Sequence, residues 1–282
     1  MIIDFHTHIF PPDFSRRLGD LRRRDKTVKA LFRDDNVRVA TAQELLKRMD
    51  LDGVDRAVVM GLGWSDQALA REMNDYLLES AALYPDRLIP FCSVNPAWGE
   101  AALREVERCT LGGAKGIGEI HPDSQEFNLG VPQLVRPLVN LAQQLGLIMM
   151  VHSSEPVGHD YPGKGQTTPN LLYRFIRAFP EARIVCAHWG GGLPFYGLMP
   201  EVSDALANVY FDTAASPLLY HPDVFTAVHN IVGPERILMG SDYPLVSPGR
   251  LIRQVLECPL PQEAKIKMLG TNAATLLEVP YN

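Results

Sequence analysis

The chain lacks most features that would assign it at a glance. Cysteine is scarce: Cys92, Cys109, Cys186 and Cys258 are scattered, with no CxxC pair among them. This argues against a disulfide framework and for buried or idle thiols, as expected of a cytoplasmic protein. No apolar run approaches the ~18 residues a membrane helix needs, so no membrane partner is expected. The sequence enters a strand at once, so no signal peptide is expected. Positive charge is not in excess, with 27 Lys and Arg against 33 Asp and Glu, and a net charge of -6 argues against a nucleic-acid binder. No GxGxxG follows an early strand and no GxSxG elbow occurs, which leaves a dinucleotide fold and a serine nucleophile without support. Linkers and low-complexity tracts are missing too, so residues 1–282 read as a single domain.

What is present is an alternation. Runs rich in β-branched residues at Ile2–His6, Arg56–Met60, Leu88–Val94, Ala114–Ile120, Leu147–His152, Arg183–His188, Val209–Asp212 and Arg236–Ser241 read as strands. Helical patterns separate them, one opened by Thr41 with Glu44 three residues on, a capping-box signature. Eight strands alternating with helices over 282 residues predict a closed (β/α)8 TIM barrel.

The chemistry-bearing residues collect at one end of these strands. His6 and His8 close the first run; side chains at i and i+2 of a strand point the same way, with Cα atoms roughly 6.5–7 Å apart. Two imidazoles so placed can converge on one metal ion. Glu119 ends the fourth run, His152 the fifth, His188 the sixth, and Asp242 follows the eighth. In a barrel these ends share the rim where catalytic residues of this fold sit.

With these residues in place, the sequence resembles the amidohydrolase superfamily, in the branch that contains the aminocarboxymuconate-semialdehyde decarboxylase-like enzymes. The matching segments are Ile3-Asp-Phe-His-Thr-His8, Lys115-Gly-Ile-Gly-Glu-Ile-His-Pro122, Val151-His152, Ala187-His-Trp-Gly-Gly-Gly192, Tyr210-Phe-Asp-Thr213 and Gly240-Ser-Asp-Tyr-Pro244. The resemblance implies a barrel with one or two divalent metal ions, commonly zinc. It also implies His6, His8, His152 and Asp242 as ligands, with His188 as a second-metal ligand or an acid/base. Many dinuclear members bridge their metals with a carboxylated lysine on strand 4. Lys115 lies roughly 13 Å down the strand from Glu119, too deep to share the site. Glu119 stands at the bridging position instead, either as a metal ligand or as a hydrogen-bond partner of a ligating histidine.

Zinc with an open position lowers the pKa of bound water from 15.7 to about 7. The expected reaction is therefore hydrolysis of an amide, lactone or ester, with Asp242 as proton carrier and His188 beside the oxyanion. The alternative is a non-oxidative decarboxylase, since related enzymes use the same residues on carboxylates. Trp189 and Phe195, flanking a glycine run, are expected to line the pocket, and His121 either contacts substrate or sits on a surface loop. The connection from Phe10 to Ala40 is strongly basic. It reads as a lid supplying a cation to an anionic small molecule, or as a solvated or subunit-contacting helix. The loop from Ser153 to Pro169, with His159, Asp160, Tyr161 and Lys164 among glycines and prolines, suits a second lid. The resemblance adds the expectation of a homodimer.

Overall fold

The computed structural model describes residues 1–34 and 37–281. Eight strands run in parallel: β1 (Ile3–His8), β2 (Arg56–Met60), β3 (Leu88–Cys92), β4 (Gly116–Ile120), β5 (Ile148–Val151), β6 (Ile184–Cys186), β7 (Val209–Asp212) and β8 (Ile237–Leu238). Each pairs with the next in chain order. A bridge from Thr7 to Tyr243 and the bond from Phe5 N–H to the Met239 carbonyl bring the two ends of the sheet together. The result is the expected TIM barrel.

Alternation along the strands sorts the core into two layers. Phe5, Val58, Met60, Phe91, Met150 and Val185 fill the barrel interior. Ala57, Val59, Cys92, Ile117, Val151 and Phe211 face the helices. Parity alone would send His6 and His8 outward, because Ile3 and Phe5 point inward. A register shift corrects this: Asp4 pairs with Ala57 but Thr7 with Val59, so three steps on β1 match two on β2. A second shift sits on β4, where Ile117 pairs with Met149 and Ile120 with Val151. Such extra residues re-aim side chains near active sites. Here they turn His6, His8 and Glu119 into the barrel mouth.

Thr41 forms the expected capping box, its backbone N–H donating to Glu44 at 2.7 Å. The basic connection is a docked helical segment, with helices at Phe14–Arg24 and Lys26–Leu31. Phe10, Phe14, Leu21, Val28 and Phe32 pack with Trp64 and Met73 in their own cluster. Four of its cations are engaged at the surface: Arg17 with Glu72, Arg23 with Asp20, Arg24 with Asp66 and Lys26 with Glu126. Asp35 of this connection lies outside the described residues. The cause of the docking is amphipathicity, since the apolar stripe of the first helix had to be buried. Among the described residues, no helix is long and apolar enough to cross a membrane.

Candidate metal centre

The barrel mouth gathers His6, His8, Glu119, His152, His188 and Asp242 within a few ångströms. His6 Nε2 and His8 Nε2 stand 3.0 Å apart. Glu119 Oε2 lies 3.7 and 3.9 Å from these nitrogens, and Asp242 Oδ1 lies 3.8 and 3.3 Å from them. On the far side of the carboxylate, Glu119 Oε1 is 2.9 Å from His152 Nδ1 and 3.4 Å from His188 Nε2. Two sets of donors, His6–His8–Glu119 and Glu119–His152–His188, are each close enough to hold an ion, and both are buried.

The other faces of the rings fix their tautomers. His6 Nδ1 donates to Asp212 Oδ2 at 2.8 Å, and His8 Nδ1 donates to the Met60 carbonyl at 3.2 Å. His188 Nδ1 donates to the Ala214 carbonyl at 3.2 Å. A carbonyl only accepts, so the nitrogens bonded to Met60 and Ala214 carry hydrogens. His6 and His8 turn Nε2 toward each other at 3.0 Å, a place that positive charge fills. Either a proton sits on His6, whose pKa Asp212 and Glu119 raise well above its usual value against the effect of burial, or a metal ion is bound by both lone pairs.

Charge is arranged to match. Burial opposes ionisation of Glu119, yet His152 and His6 outweigh it and hold the carboxyl well below its usual range. Burial likewise works against Asp242, but the bond to His8 and the nearby imidazoles lower it to about 2. Burial would lower His188; the bond and charge of Glu119 prevail, raising it to about 9.

Backbone geometry explains why these residues reach the site. His188 and Trp189 adopt left-handed conformations, with φ of 53° and 55°. Gly191 follows, where a Cβ would stand 2.3 Å from the Ser154 carbonyl oxygen. Only glycine lets this turn pass so close to the end of β5. Asp242 is also left-handed, at φ 65°. Its N–H donates to the His6 carbonyl at 2.9 Å, and the His8 N–H donates to the Tyr243 carbonyl at 2.8 Å. Beneath it, the fully buried Asp4 accepts from Ser241 N–H and Oγ at 2.9 and 2.6 Å. Burial raises Asp4 to about 7 despite those bonds.

Other expected residues fall at different distances. Lys115 is exposed, away from the mouth. His121 is buried and stacks on His152, ring centroids 3.9 Å apart, which removes the surface-loop alternative. Burial and the neighbouring His152 lower its pKa to about 3. Tyr161 reaches the rim through a 2.7 Å bond to Glu155. Trp189, expected to line the pocket, is instead fully buried in the layer under the helices, against Phe225 and donating to Ser216. The left-handed turn that presents His188 sends the next side chain the other way. Asp212 was not singled out as a site residue, although the Tyr210-Phe-Asp-Thr213 segment carried it; an acid after alternating apolar residues on β7 was the available signal.

Comparison with known proteins agrees with this architecture. A family described as amidohydrolase matches residues 3–279. The 2-amino-3-carboxymuconate-6-semialdehyde decarboxylase of Dictyostelium discoideum is 23% identical, covering 99% of this chain and 92% of its own length. The 6-methylsalicylic acid decarboxylase of Penicillium expansum is 28% identical, covering 70% and 71%. Among solved structures, 5-carboxyvanillate decarboxylase of Novosphingobium aromaticivorans superposes with a TM-score of 0.80 at 19% identity. That match covers 99% of this chain and 96% of the other, whose structure holds manganese and 4-hydroxy-3-methoxy-5-nitrobenzoic acid. These relatives are decarboxylases, which corrects the expected hydrolase: the donor residues serve either chemistry, and ligand spacing alone does not choose between them. By the match across nearly its whole length, the chain belongs to the amidohydrolase family.

Proposed function

We propose that this protein is a metal-dependent, non-oxidative decarboxylase acting on a small carboxylate. The facing His6 and His8 Nε2 atoms beside Glu119 and Asp242, with His188 opposite, carry the metal-dependent part of the reading, and the likeness to decarboxylases carries the choice of reaction.

His6, His8 and Asp242 would hold a divalent ion, with Glu119 and His152 alongside. The mixed nitrogen and oxygen donor set suits zinc or manganese, and the manganese of the carboxyvanillate enzyme supports an ion of this class. When bound, the cation supplies positive charge that holds and polarises an anionic substrate.

The remaining work belongs to the chain. Losing carbon dioxide breaks a carbon–carbon bond and leaves its electron pair on the substrate, where a proton must replace the carboxyl group. Asp242, held near 2, stays ionised at neutral pH and is a poor donor. His188 Nε2 faces Glu119 Oε1 at 3.4 Å, and a carboxylate at that distance favours a protonated imidazole. Its Nδ1 is committed to the Ala214 carbonyl, so Nε2 delivers that proton. Glu119 and Asp242 balance the imidazolium charge until delivery.

The test supplies zinc- or manganese-loaded protein with hydroxybenzoates. The expected products are carbon dioxide and the decarboxylated arene in equal amounts, with one solvent deuteron at the vacated carbon. His188→Asn should lower turnover by roughly 10²–10⁴-fold without unfolding the protein. Acid release from esters or amides, with no carbon dioxide from any carboxylate, would overturn the reading.

A further inference from the structure

A polar cluster at the same rim is left unused by this chemistry. Glu155 stands three residues after His152. Its Oε2 accepts from the Tyr161 hydroxyl at 2.7 Å, whereas Oε1 is buried without a partner. The Tyr220 hydroxyl is also buried and unpartnered. Burial first, then the charge of Glu155 and a hydrogen-bonding contribution from it, raise the Tyr220 pKa, so the hydroxyl stands beside that carboxylate without a well-formed bond to it.

The cluster borders the centre on two sides. Ser154, next to Glu155, has its Oγ 3.5 Å from His152 Nε2. The Tyr220 hydroxyl lies 3.7 Å from the position a Cβ would take on Gly192, in the turn that presents His188. Lys164, on the same loop, donates to the carbonyls of Val157, Gly158 and His159 at 3.0, 3.2 and 2.8 Å. It packs over the Tyr161 ring at 5.8 Å and makes no bond to Glu155. A buried carboxylate oxygen with unused lone pairs is costly until a donor reaches it.

We propose that Glu155, with the Tyr161 and Tyr220 hydroxyls, forms a specificity-determining subsite that takes a hydroxyl or amino substituent of the substrate and rejects a second carboxylate. This rests on the decarboxylase reading for the group that is lost, and adds what the rest of the substrate must carry. Oε1 accepts only, so a donor completes it, while a further anion meets like charge in a poorly solvated place. Tyr161 already spends its hydrogen on Oε2 and offers lone pairs outward. Tyr220 can give or take, which accommodates either substituent.

The experiment measures binding, by calorimetry on zinc-loaded protein, of benzoates that differ only in one ring substituent: hydroxyl, amino, methyl or carboxylate. Carbon dioxide release is scored in parallel. Wild-type protein should bind the hydroxyl and amino members roughly 10- to 100-fold tighter than the methyl member, and the dicarboxylate weakest. Glu155→Gln should improve the dicarboxylate at least tenfold relative to the amino member, and Tyr220→Phe should narrow the donor preference severalfold, with both variants melting like wild type. An unchanged ranking in Glu155→Gln, or no discrimination by wild-type protein, overturns the subsite. If the ranking shifts as expected while no member releases carbon dioxide, the subsite is supported and the decarboxylase reading fails instead.

Discussion

His6 and Asp212 are joined by a 2.8 Å hydrogen bond between two fully buried side chains, Nδ1 donating to Oδ2. The other carboxylate oxygen accepts from the N–H groups of His188 and Ala214 at 2.9 and 3.0 Å. One side chain on β7 therefore orients a residue of β1 and the turn after β6. An asparagine here could keep Oδ1 as acceptor but would present an NH2 group to His6. The ring would then have to carry its hydrogen on Nε2, facing His8. Asp212→Asn should lower zinc affinity by roughly 10–100-fold with unchanged circular dichroism, as read by competition with a chelating dye. Unchanged affinity would show that the His6 tautomer does not matter.

Glu119 and Asp242 bring two carboxylates into one buried place, where protonated imidazoles offset them until a metal ion is bound. Exhaustive chelation should abolish activity and lower Tm, and zinc or manganese should restore both. A ligand at a thousand times its Kd stabilises by about 4 kcal/mol, enough to raise Tm by several degrees. Calorimetry with and without added metal checks this, and coincident melting curves would remove the centre.

The helical segment over residues 14–31 hangs on Asp25. This buried carboxylate accepts from Val28 N–H at 2.7 Å, Ser65 N–H at 2.7 Å, Ser65 Oγ at 3.2 Å and Asp66 N–H at 2.8 Å. Asp25→Ala leaves buried donors without an acceptor, at a cost of roughly 2–4 kcal/mol. Trypsin should then cut faster at Arg22, Arg23 or Arg24, while the barrel's far-ultraviolet signal persists. Wild-type cleavage rates would mean the apolar cluster alone holds the segment.

His121 supplies a pH dependence with a definite sign. Burial and His152 lower its pKa from 6.5 to about 3 in the folded state. Between those values the unfolded chain binds the extra proton, so its contribution is complete above pH 6.5 and is lost as pH falls toward 3. The slope attributable to it is at most about 1.4 kcal/mol per pH unit. In chelated protein, His121→Gln should flatten the stability curve between pH 4 and 6.5 relative to wild type, measured by urea melts. Parallel curves would assign the acid sensitivity to other groups.

Much of the barrel was legible because period-2 and period-3.6 patterns are local. Arg56–Met60 and Val209–Asp212 were readable as strands to the residue, and Thr41 with Glu44 marked a helix start. A helix over 14–31 was one of two readings, but its docking was hidden by its charge, since its apolar face is completed by Trp64 and Met73 from elsewhere in the chain. Trp189 was misplaced because a left-handed backbone, φ 55°, reverses the direction that strand alternation implies.

The sequence by itself determined that the chain forms a barrel and that His6, His8, Glu119, His152, His188 and Asp242 belong near strand ends. Tertiary structure decided whether they could meet. The extra residue on β1 between Asp4 and Thr7, and that on β4 between Ile117 and Ile120, exist only as a mismatch with neighbouring strands. Register is a property of pairs of strands, and without those two shifts alternation would send His6, His8 and Glu119 into the helix layer.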